Sequence, residues 1–372
     1  MAVEVCHLTS AHSRGDTRIF HKQCRSLAQA GYVVHLVVAD GKGDQECAGV
    51  KIYDVGQPAG RLNRMIGVVL RIYRRANALN SEIYHFHDPE LFFVGIMLTL
   101  RGRKVIFDIH EDYPKDIFSK RWIPLLLQFP VSWAMTVLNW VAAKIFAALI
   151  IAWPDINRPY MEHKVTLVGN YPILGDLPEG CPYLERSYEL VMTGEISVMR
   201  SAREIIDACG QVSGCESFKL VVVGKVDEEV FENEFLESIR SSPIKYQGWV
   251  PLAQAYELIA QSRGGLALYY PEPNHFNSEP TKLYEYMAAG VPVITSNFKK
   301  YRELVETLKC GIVVDPTDAG EIAKAIMWIL NNSEEAQAMG CRGRKAVEER
   351  FHWGLEERKL VNLYDGLASG PI

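Results

Sequence analysis

The segment from Asn277 to Ile294 combines polar side chains with the pattern of a loop, a helix and a strand. Pro280 stands at the start of the predicted helix, and Gly290 stands at its end before a β-branched run. In an open α/β sheet such a loop lies at the carboxyl end of a strand, where ligands bind. The first helical amides, at Thr281 and Lys282, and the Lys282 ammonium suit a phosphate group. The segment therefore predicts an anion-binding site.

Glu285 lies one turn further along this helix, where a carboxylate can accept both hydroxyls of a ribose. From spacing alone, a Glu on an exposed helix face is more often only a solvated side chain. The run Glu-Tyr-Met-Ala-Ala-Gly from Glu285, followed by Val-Pro-Val-Ile, resembles the donor-binding motif of the family-four retaining glycosyltransferases. That resemblance implies that Glu285 binds the nucleotide ribose. It also implies that Asn277, at the position of the family's second Glu, and Glu279, two residues later, contact the donor sugar.

A second match to this family is the run from Val191 to Arg200. It resembles the strand, Gly-Arg pair, short loop and Lys that open the family's second domain, where two cations hold the diphosphate. Arg200 stands at the Lys position and can bind phosphate through two hydrogen bonds, whereas Glu195 stands at the usual Arg position. The resemblance therefore places Gly194 and Arg200 at the diphosphate. Without it, Arg200 is expected to be a solvated residue at a helix start.

Two further runs, Leu220 to Gly224 and Tyr246 to Leu252, resemble the intermediate strands of the same domain. The resemblance implies that backbone groups around Val250 and Leu252 face the nucleotide base. Main-chain contacts of this kind do not identify the base.

Three polar runs in the first half of the chain also resemble this family and follow predicted strands: Gly15 to Ile19, Tyr84 to Glu90 and Phe107 to Glu111. The family has a His in this region that contacts the transferred sugar or its acceptor. The resemblance assigns that role first to His110 and second to His87. Since His85 and His87 alternate along a strand, one of the two is expected to be buried.

The His85-x-His87 pair beside Asp88 is also a pattern that can bind a metal ion. The family generally needs no metal, and no third ligand cluster is evident in the sequence. The eight cysteines lack the close pairing of a zinc site. We therefore expect no metal and no cofactor, only a nucleotide diphosphate sugar as donor substrate.

Apolar, β-branched runs alternate with segments of helical period in both halves of the chain, which predicts two doubly wound parallel sheets. The predicted strands are Val3–Leu8, Val33–Ala39, Val50–Val55, Glu82–Phe86, Lys104–Asp108, Ala147–Ala152, Val165–Val168, Leu190–Thr193, Lys219–Val223, Lys245–Gly248, Gly265–Tyr269, Val291–Thr295 and Gly311–Val314. Helices are predicted at Ala319–Asn331, Glu334–Arg350 and Leu355–Leu367.

The resemblance implies an α/β fold of the GT-B class, with two Rossmann-like doubly wound parallel-sheet domains facing a central cleft. We expect an N-terminal acceptor domain at residues 1–172 and a nucleotide-sugar-binding domain at 188–351. The stretch between them, 173–187, is rich in Pro and Gly and predicts a linker. Residues 352–372 are expected to form a helix that returns to the first domain.

The composition excludes some classes of partner. The chain has 372 residues and a net charge of −5, so no global basic field favours nucleic acid. Its N-terminus lacks the pattern of a signal peptide, and we expect a cytoplasmic protein that can associate with the inner face of the membrane.

Two apolar stretches bear on membrane contact. Residues 131–153 carry one charge, Lys144, and approach the length of a membrane span, but polar residues at helical spacing favour a helix inside the fold. The stretch from Lys120 to Phe129 has basic residues beside Trp122 and a leucine run. It fits either peripheral contact with a membrane surface or a helix packed inside the fold.

As a whole, the resemblance implies a retaining glycosyltransferase that moves a sugar from a nucleotide diphosphate sugar to a hydroxyl acceptor. Its usual setting is bacterial polysaccharide or lipid-linked glycan synthesis. A catalytically impaired nucleotide-sugar-binding subunit and a nucleotide-sugar 2-epimerase remain as alternatives. A dehydrogenase is disfavoured because no dinucleotide-binding glycine fingerprint follows the first strand.

Overall fold

The structure is a computed structural model that describes residues 2–120, 123–156, 164–178, 182–187, 189–213, 217–227 and 229–370. It divides into two compact units. Unit 1 comprises Met1–Asn170 and Trp353–Ile372, and unit 2 comprises Tyr171–His352.

Unit 1 contains an eight-stranded sheet with the order β3-β4-β2-β1-β5-β6-β7-β8. Its strands are β1 Glu4–Leu8, β2 Val33–Val38, β3 Gln45–Cys47, β4 Val50–Asp54, β5 Ile83–Phe86, β6 Lys104–Ile109, β7 Ala148–Ile151 and β8 Val165–Leu167. All neighbouring pairs are parallel except β3 with β4. The sequence did not predict β3, because this short strand is exposed along its whole length and lacks an apolar face.

The helices of unit 1 are α1 Arg25–Gln29, α2 Arg61–Asn63, α3 Val69–Leu79, α4 Phe92–Thr99, α5 Tyr113–Asp116, α6 Leu125–Ile145 and, for the C-terminal helix, Trp353–Ser369. Thr17–Cys24 forms a π-helix that runs into α1, and Arg64–Val68 forms one that joins α2 to α3. The Asp16 carboxylate accepts hydrogen bonds from the amides of Arg18 and Ile19 at the start of the first π-helix. It acts as the N-cap, which is the favoured role of Asp at such a position.

The two faces of this sheet carry different kinds of core. Alternate residues such as Cys6, Tyr84 and Phe107 pack with α3, α4 and α6 in one apolar cluster. The residues between them point to the opposite face, because side chains alternate along a strand. There His7 and His85 are fully buried beneath the C-terminal helix.

Unit 2 contains a six-stranded, wholly parallel sheet with the order β11-β10-β9-β12-β13-β14. Its strands are β9 Glu189–Thr193, β10 Lys219–Val223, β11 Ile244–Gly248, β12 Gly264–Ala267, β13 Val293–Ser296 and β14 Gly311–Val314. Its helices are α7 Ala202–Gln211, α8 Glu229–Ser238, α9 Leu252–Ala260, α10 Thr281–Ala288, α11 Lys299–Leu308, α12 Ala319–Asn331 and α13 Ser333–Arg350, and the C-terminal helix of unit 1 is therefore α14. Each strand predicted from the sequence is present, with ends shifted by at most a few residues.

Residues 173–187, which the sequence predicts to be a linker, lie within unit 2. Tyr183 is buried in the core there and donates its hydroxyl hydrogen bond to the carbonyl of Arg263 at 2.6 Å. The Arg263 guanidinium in turn donates to the carbonyl of Arg186 at 3.0 Å. The described part of this segment contains only two short 3-10 helices, Leu174–Asp176 and Tyr183–Glu185, and side-chain anchors hold it on the domain.

The C-terminal helix α14 is held on unit 1 by a buried polar contact. The Tyr364 hydroxyl lies 2.8 Å from His85 Nδ1 and 3.2 Å from His7 Nε2. The Trp353 indole donates a hydrogen bond to the Ser26 hydroxyl at 2.9 Å near the start of the same helix. Because burial disfavours the charged form, the pKa values of His7 and His85 lie well below the usual range, and both imidazoles stay neutral.

Replacing Tyr364 by Phe should destabilise unit 1. The substitution removes the hydroxyl that pairs with two buried imidazole nitrogens, and leaving such groups unpaired costs about 1–3 kcal/mol. The free energy of unfolding in urea should fall by that amount. Tyr32→Phe is the matched control, because it removes a partly exposed hydroxyl that donates to Asp365 on α14. Its effect should stay within about 0.5 kcal/mol, and equal effects for the two variants would contradict this role for Tyr364.

Candidate functional site

The end of β9 and the start of α10 meet in unit 2 at a close contact between a glycine and a lysine. Gly194 follows β9 with φ +97°, and its amide donates to the carbonyl of Val223 at 2.7 Å. A Cβ built on Gly194 would lie 2.1 Å from Lys282 Nζ. A Cβ on Gly224 would lie 1.7 Å from the Gly194 carbonyl oxygen. Glycine is required at Gly194 by its positive φ, and at Gly224 by its positive φ and the close approach of the Gly194 carbonyl.

The Lys282 ammonium is poised to take up an anion. Burial, followed by the positive charge of Arg200, lowers the pKa of Lys282 to about 8, while Glu285 and Glu195 oppose the shift. A bound anion next to the ammonium would favour its charged form and raise the pKa again. The site is therefore electropositive and incompletely neutralised by its own carboxylates.

Arg200 supplies the second cation of the site. Its guanidinium lies over the ring of Tyr269, 5.5 Å from the ring centroid. Its Nε lies 3.6 Å from the Glu195 carboxylate. Glu195, the departure from the family pattern, thus holds the Arg200 side chain at a distance longer than a hydrogen bond. This loose pairing leaves the guanidinium able to turn to a ligand.

Glu285 lies one turn beyond Lys282 and is partly exposed. The Tyr256 hydroxyl donates a hydrogen bond to Glu285 Oε1 at 3.2 Å. Burial, and then the charge of Glu285, raises the pKa of Tyr256, so this hydroxyl stays protonated as the donor. The carboxylate is thereby oriented by one neighbour and retains acceptor capacity for hydroxyl groups.

A buried tyrosine fixes α10 against β9. The Thr193 amide donates to the Tyr286 hydroxyl at 3.0 Å, and the Tyr286 side chain is fully buried. A Cβ on Gly265 would lie 2.4 Å from this ring, so β12 passes directly beneath it. Since Tyr286 is the next residue after Glu285, this anchor sets the rotation of the helix that presents Lys282.

The helix α10, whose first amides are predicted to bind an anion, begins one residue later than the sequence predicts. Pro280 is the N-cap of α10, and no side chain there caps the first amides. Thr281 is the first helical residue and is partly exposed. The N-terminus of α10 carries the positive end of the helix dipole and lies on the same segment as Lys282.

Glu279 and Asn277 are engaged with α11. Lys300 Nζ lies 2.9 Å from Glu279 Oε1 and donates to the Asn277 carbonyl at 3.0 Å. The Tyr171 hydroxyl donates to Glu279 Oε2 at 3.0 Å. These contacts direct the Glu279 carboxylate toward α11 and into the wall of a cavity of about 310 Å³. The Asn277 side chain is exposed on the preceding loop.

Val250 and Leu252 lie where β11 passes into α9, with Pro251 as the N-cap of that helix. Both are partly exposed, while the neighbouring Trp249 side chain is strongly exposed. The loop follows a strand end of the same sheet as Gly194. Its backbone is therefore on the ligand-binding edge that an open parallel sheet offers.

In unit 1, His110 directly follows β6 and lies beside a second histidine that sequence reasoning missed. The rings of His110 and His12 meet edge to face with centroids 5.2 Å apart. Burial lowers the pKa of His110 to about 4, so the ring is neutral near pH 7. Although burial opposes it, hydrogen bonding and charge from Asp16 and Asp88 raise the pKa of His12 to about 9. No motif pointed to His12, because Asp88 and His110 come from other parts of the chain, although Asp16 lies only four residues away.

The structure brings a third histidine to the His-x-His pair, which the sequence did not reveal. His7 Nδ1 lies 3.0 Å from His87 Nε2, and ligand atoms of His7, His85 and His87 lie within 4.8 Å of one another. His85 and His87 are both fully buried, and not one of the two as expected, because residues two apart lie on the same side of a strand. Burial removes His87 from direct contact with a solvent-borne sugar. His87, Asp108 and His110 form a second such group.

These two groups are held by internal partners. Arg18 donates two hydrogen bonds to the Asp108 carboxylate at 2.8 and 2.9 Å, and Gln23 donates a third at 2.7 Å. Although burial alone would raise the pKa of Asp108, the Arg18 charge holds it well below the usual range. Both Asp108 oxygens thus accept hydrogen bonds from Arg18, and Oδ2 also accepts one from Gln23. That no metal is required stays a prediction.

Family models match both units. Residues 184–346 match the model described as glycosyl transferases group 1, and residues 14–152 match the model described as Glycosyltransferase Family 4. The first match includes Gly194, Arg200, Lys282 and Glu285. The second includes His110.

Individual relatives give partial and whole-chain similarity. Over 82 residues the chain is 37% identical to a GDP-mannose-dependent alpha-(1-6)-phosphatidylinositol monomannoside mannosyltransferase of Mycobacterium tuberculosis. The aligned residues make up 22% of this chain and only 21% of the relative's length. The sucrose-phosphate synthase of Thermosynechococcus elongatus has a similar structure, with TM-score 0.79, 16% identity and 99% of each chain covered. Anabaena HepE in complex with UDP-glucose gives TM-score 0.75 and 13% identity over 98% of this chain and 99% of that one. These likenesses confirm the predicted pair of α/β domains with largely parallel sheets.

Anion binding at Lys282 should weaken in alkali. Because the pKa of Lys282 is about 8 in the free protein and a bound diphosphate would raise it, affinity for a nucleoside diphosphate should be level below that pH and fall above it. Linkage predicts a loss of roughly tenfold between pH ~7 and ~9. Titration calorimetry with uridine, guanosine and adenosine diphosphates measures this.

Lys282→Met should weaken binding and abolish this pH dependence. Lys299→Met, at a lysine whose side chain is almost fully exposed, should keep both affinity and pH profile. A pH profile unchanged in Lys282→Met would remove Lys282 from the anion site.

Proposed function

Because the chain belongs to the group 1 glycosyltransferases of the family-four type, we propose that it transfers a sugar from a nucleotide diphosphate sugar to a hydroxyl acceptor. The observation that carries this proposal is the Lys282 ammonium seated on Gly194 beside Arg200. Two cations and a helix N-terminus at one strand end form a receptor for a diphosphate, not for a single neutral sugar.

The proposed role of these cations is to stabilise the departing diphosphate. Negative charge grows on the leaving-group oxygens as the bond to the sugar breaks, which is the largest electrostatic demand of the reaction. Lys282 and Arg200 would meet that charge from fixed positions, since Gly194 and the Tyr269 ring hold their side chains. The α10 amides at Thr281 and Lys282 add the helix dipole.

The nucleoside end of the donor would bind through Glu285 and the loop at Val250. Glu285, oriented by Tyr256, would accept hydrogen bonds from the ribose hydroxyls. Backbone groups around Val250 and Leu252 would face the base. The relative named above is called GDP-mannose-dependent, whereas the HepE structure holds UDP-glucose, so the base must be found by experiment.

The sugar end is proposed to use a different set of residues. Glu279 is paired with Lys300, so its carboxylate would accept hydrogen bonds from sugar hydroxyls and would not act as a free nucleophile. Asn277 lies on the same loop and offers an amide. His110, neutral near pH 7, would hold the transferred sugar or the acceptor hydroxyl through a hydrogen bond.

We propose that transfer proceeds with retention of the anomeric configuration. The acceptor would attack from the face of the leaving diphosphate, and a diphosphate oxygen would take the acceptor proton. The arrangement fits this route because the carboxylate of Glu279, which lies two residues from Asn277 in the sequence, is ion-paired with Lys300. No protein nucleophile is then required.

A lipid-linked or polysaccharide acceptor at the cytoplasmic face of the membrane is the proposed setting. The relative named above acts, by its name, on a phosphatidylinositol glycolipid. The contact predicted near Trp122 lies outside the described residues. Cytoplasmic location remains a proposal that fractionation can test.

Glu285→Ala should lose donor binding. Removing the carboxylate deletes two charge-assisted hydrogen bonds to the ribose, and we expect about a hundredfold loss of affinity for the best ligand in a thermal-shift screen of nucleoside diphosphates and their sugars. Glu306→Ala is the control, because this exposed glutamate pairs with Arg302 along α11. Unchanged affinity in Glu285→Ala would refute the ribose assignment.

His110→Ala should separate binding from transfer. Donor affinity should stay within about twofold, while release of nucleoside diphosphate in the presence of a lipid-extract acceptor should fall at least about a hundredfold, because the reacting groups lose their alignment. His352→Ala in unit 2 serves as the control. An unaltered transfer rate would remove His110 from the reaction, and donor conversion without any acceptor would favour an epimerase.

A further inference from the structure

The helix α6 has its polar and apolar sides reversed relative to a soluble surface helix. Its exposed residues include Leu126 at 91% and Trp133 at 70% exposure, with Trp140 two turns further along the same side. Gln128 and Asn139, by contrast, are buried. A surface helix normally turns its apolar side to the core, so the outer side of α6 is built to contact something other than water.

Neighbouring elements extend this exposed apolar surface. The strongly exposed apolar residues of the α2–α3 region and of α4 are Leu62, Met65, Ile66, Leu70, Phe93, Met97 and Leu100. The buried sides of α3, α4 and α6 all pack in the apolar cluster on one face of the sheet of unit 1. Their outer sides therefore face the same way, and we call them together the apolar face. Scattered exposed apolar residues are normal, but a set of this extent on one side of the sheet marks an interaction site.

The helical segments that form the apolar face carry basic residues but no acidic ones, although Arg64 and Arg75 pair with Glu90 and Asp44 from neighbouring segments. The segments 61–75, 92–104 and 124–145 hold five, three and one basic residues, respectively, and no Asp or Glu. The whole chain nevertheless has a net charge of −5. Lys144 lies in the last turn of α6, with its Nζ 6.0 Å from the centroid of the exposed Trp140 ring. Basic residues around tryptophans and leucines are the composition of helices that lie in the interface of an anionic bilayer.

We propose that the apolar face of unit 1 docks on the surface of an anionic lipid bilayer. The apolar side chains would enter the headgroup and acyl boundary, and the surrounding Arg and Lys side chains would pair with lipid phosphates. A second copy of the chain is a poorer occupant, because the three segments offer no Asp or Glu of their own to pair with the basic residues of the other copy. The proposal does not depend on the donor chemistry of unit 2.

Docking on the surface also fits α6 better than spanning. By length and composition α6 is the one helix among the described residues that could cross a membrane. However, it is the crossover between the paired parallel strands β6 and β7, so both its ends are fixed on one sheet. Ala142 and the adjoining Phe146 are fully buried against that sheet. A span would require the whole apolar cluster to come apart.

Vesicle sedimentation with the full chain tests the proposal. Wild-type protein should bind vesicles of equal parts phosphatidylglycerol and phosphatidylcholine, and high salt should release it. The double variant Leu126→Ser with Trp133→Ser should lose at least about tenfold in partition coefficient, because two inserted side chains are lost. Trp249→Ser, at an equally exposed tryptophan of unit 2, should bind as wild type does.

The charge part of the proposal needs a separate pair of variants. Lys144→Glu with Arg74→Glu should lose about tenfold or more on the anionic vesicles, with little change on phosphatidylcholine alone. The proposal is overturned if wild-type protein ignores the anionic vesicles or if Trp249→Ser loses as much as the α6 variant. It is also overturned if light scattering shows a dimer that the α6 variant abolishes, or if bound protein resists extraction by salt.

Discussion

The Lys282 side chain rests against Gly194, and this contact constrains much of unit 2. An ammonium placed at the end of β9 leaves no room for a Cβ on Gly194, and the Gly194 carbonyl leaves none on Gly224. Two strand ends and one helix start must therefore converge within a few ångströms. The Tyr286 hydroxyl, bonded to the Thr193 amide, holds that geometry from beneath. The site is preorganised because its charge and its backbone are fitted to each other.

Unit 1 buries a group of polar side chains that pair with one another. Asp108 is neutralised by Arg18 and Gln23, and the histidines are paired with one another and with Tyr364. A buried carboxylate without such partners would cost several kcal/mol, so the network makes its members depend on one another. It occupies the face of the sheet beneath α14, whereas the opposite face has an apolar core. That division explains why the outer surface beyond α3, α4 and α6 is free to be apolar as well.

The family resemblance and the geometry agree for the residues proposed to bind the nucleotide and diverge for those proposed to bind the sugar. Gly194, Arg200, Lys282 and Glu285 stand together around one strand end, each with a physical reason for its position. Glu279 and Asn277 instead share Lys300. Glu195, which departs from the family pattern, has an identifiable partner in Arg200, so it adjusts the charge of the site and does not abolish it.

By itself the sequence determined the strands to within a few residues at their ends and gave the start of α10 to within one residue, because these follow from local periodicity and caps. The nucleotide residues were predicted from a short continuous motif, and their role stays a prediction. The sequence did not predict the edge strand β3, because its three exposed residues show no alternation of apolar and polar side chains. Only the tertiary structure decided which distant side chains meet: His7 with His87, Glu279 with Lys300, and the outer sides of three separate helices in one apolar face. Such contacts depend on how the chain crosses over the sheet. Neither composition nor spacing carries that information, because residues far apart in the chain are brought together only by packing.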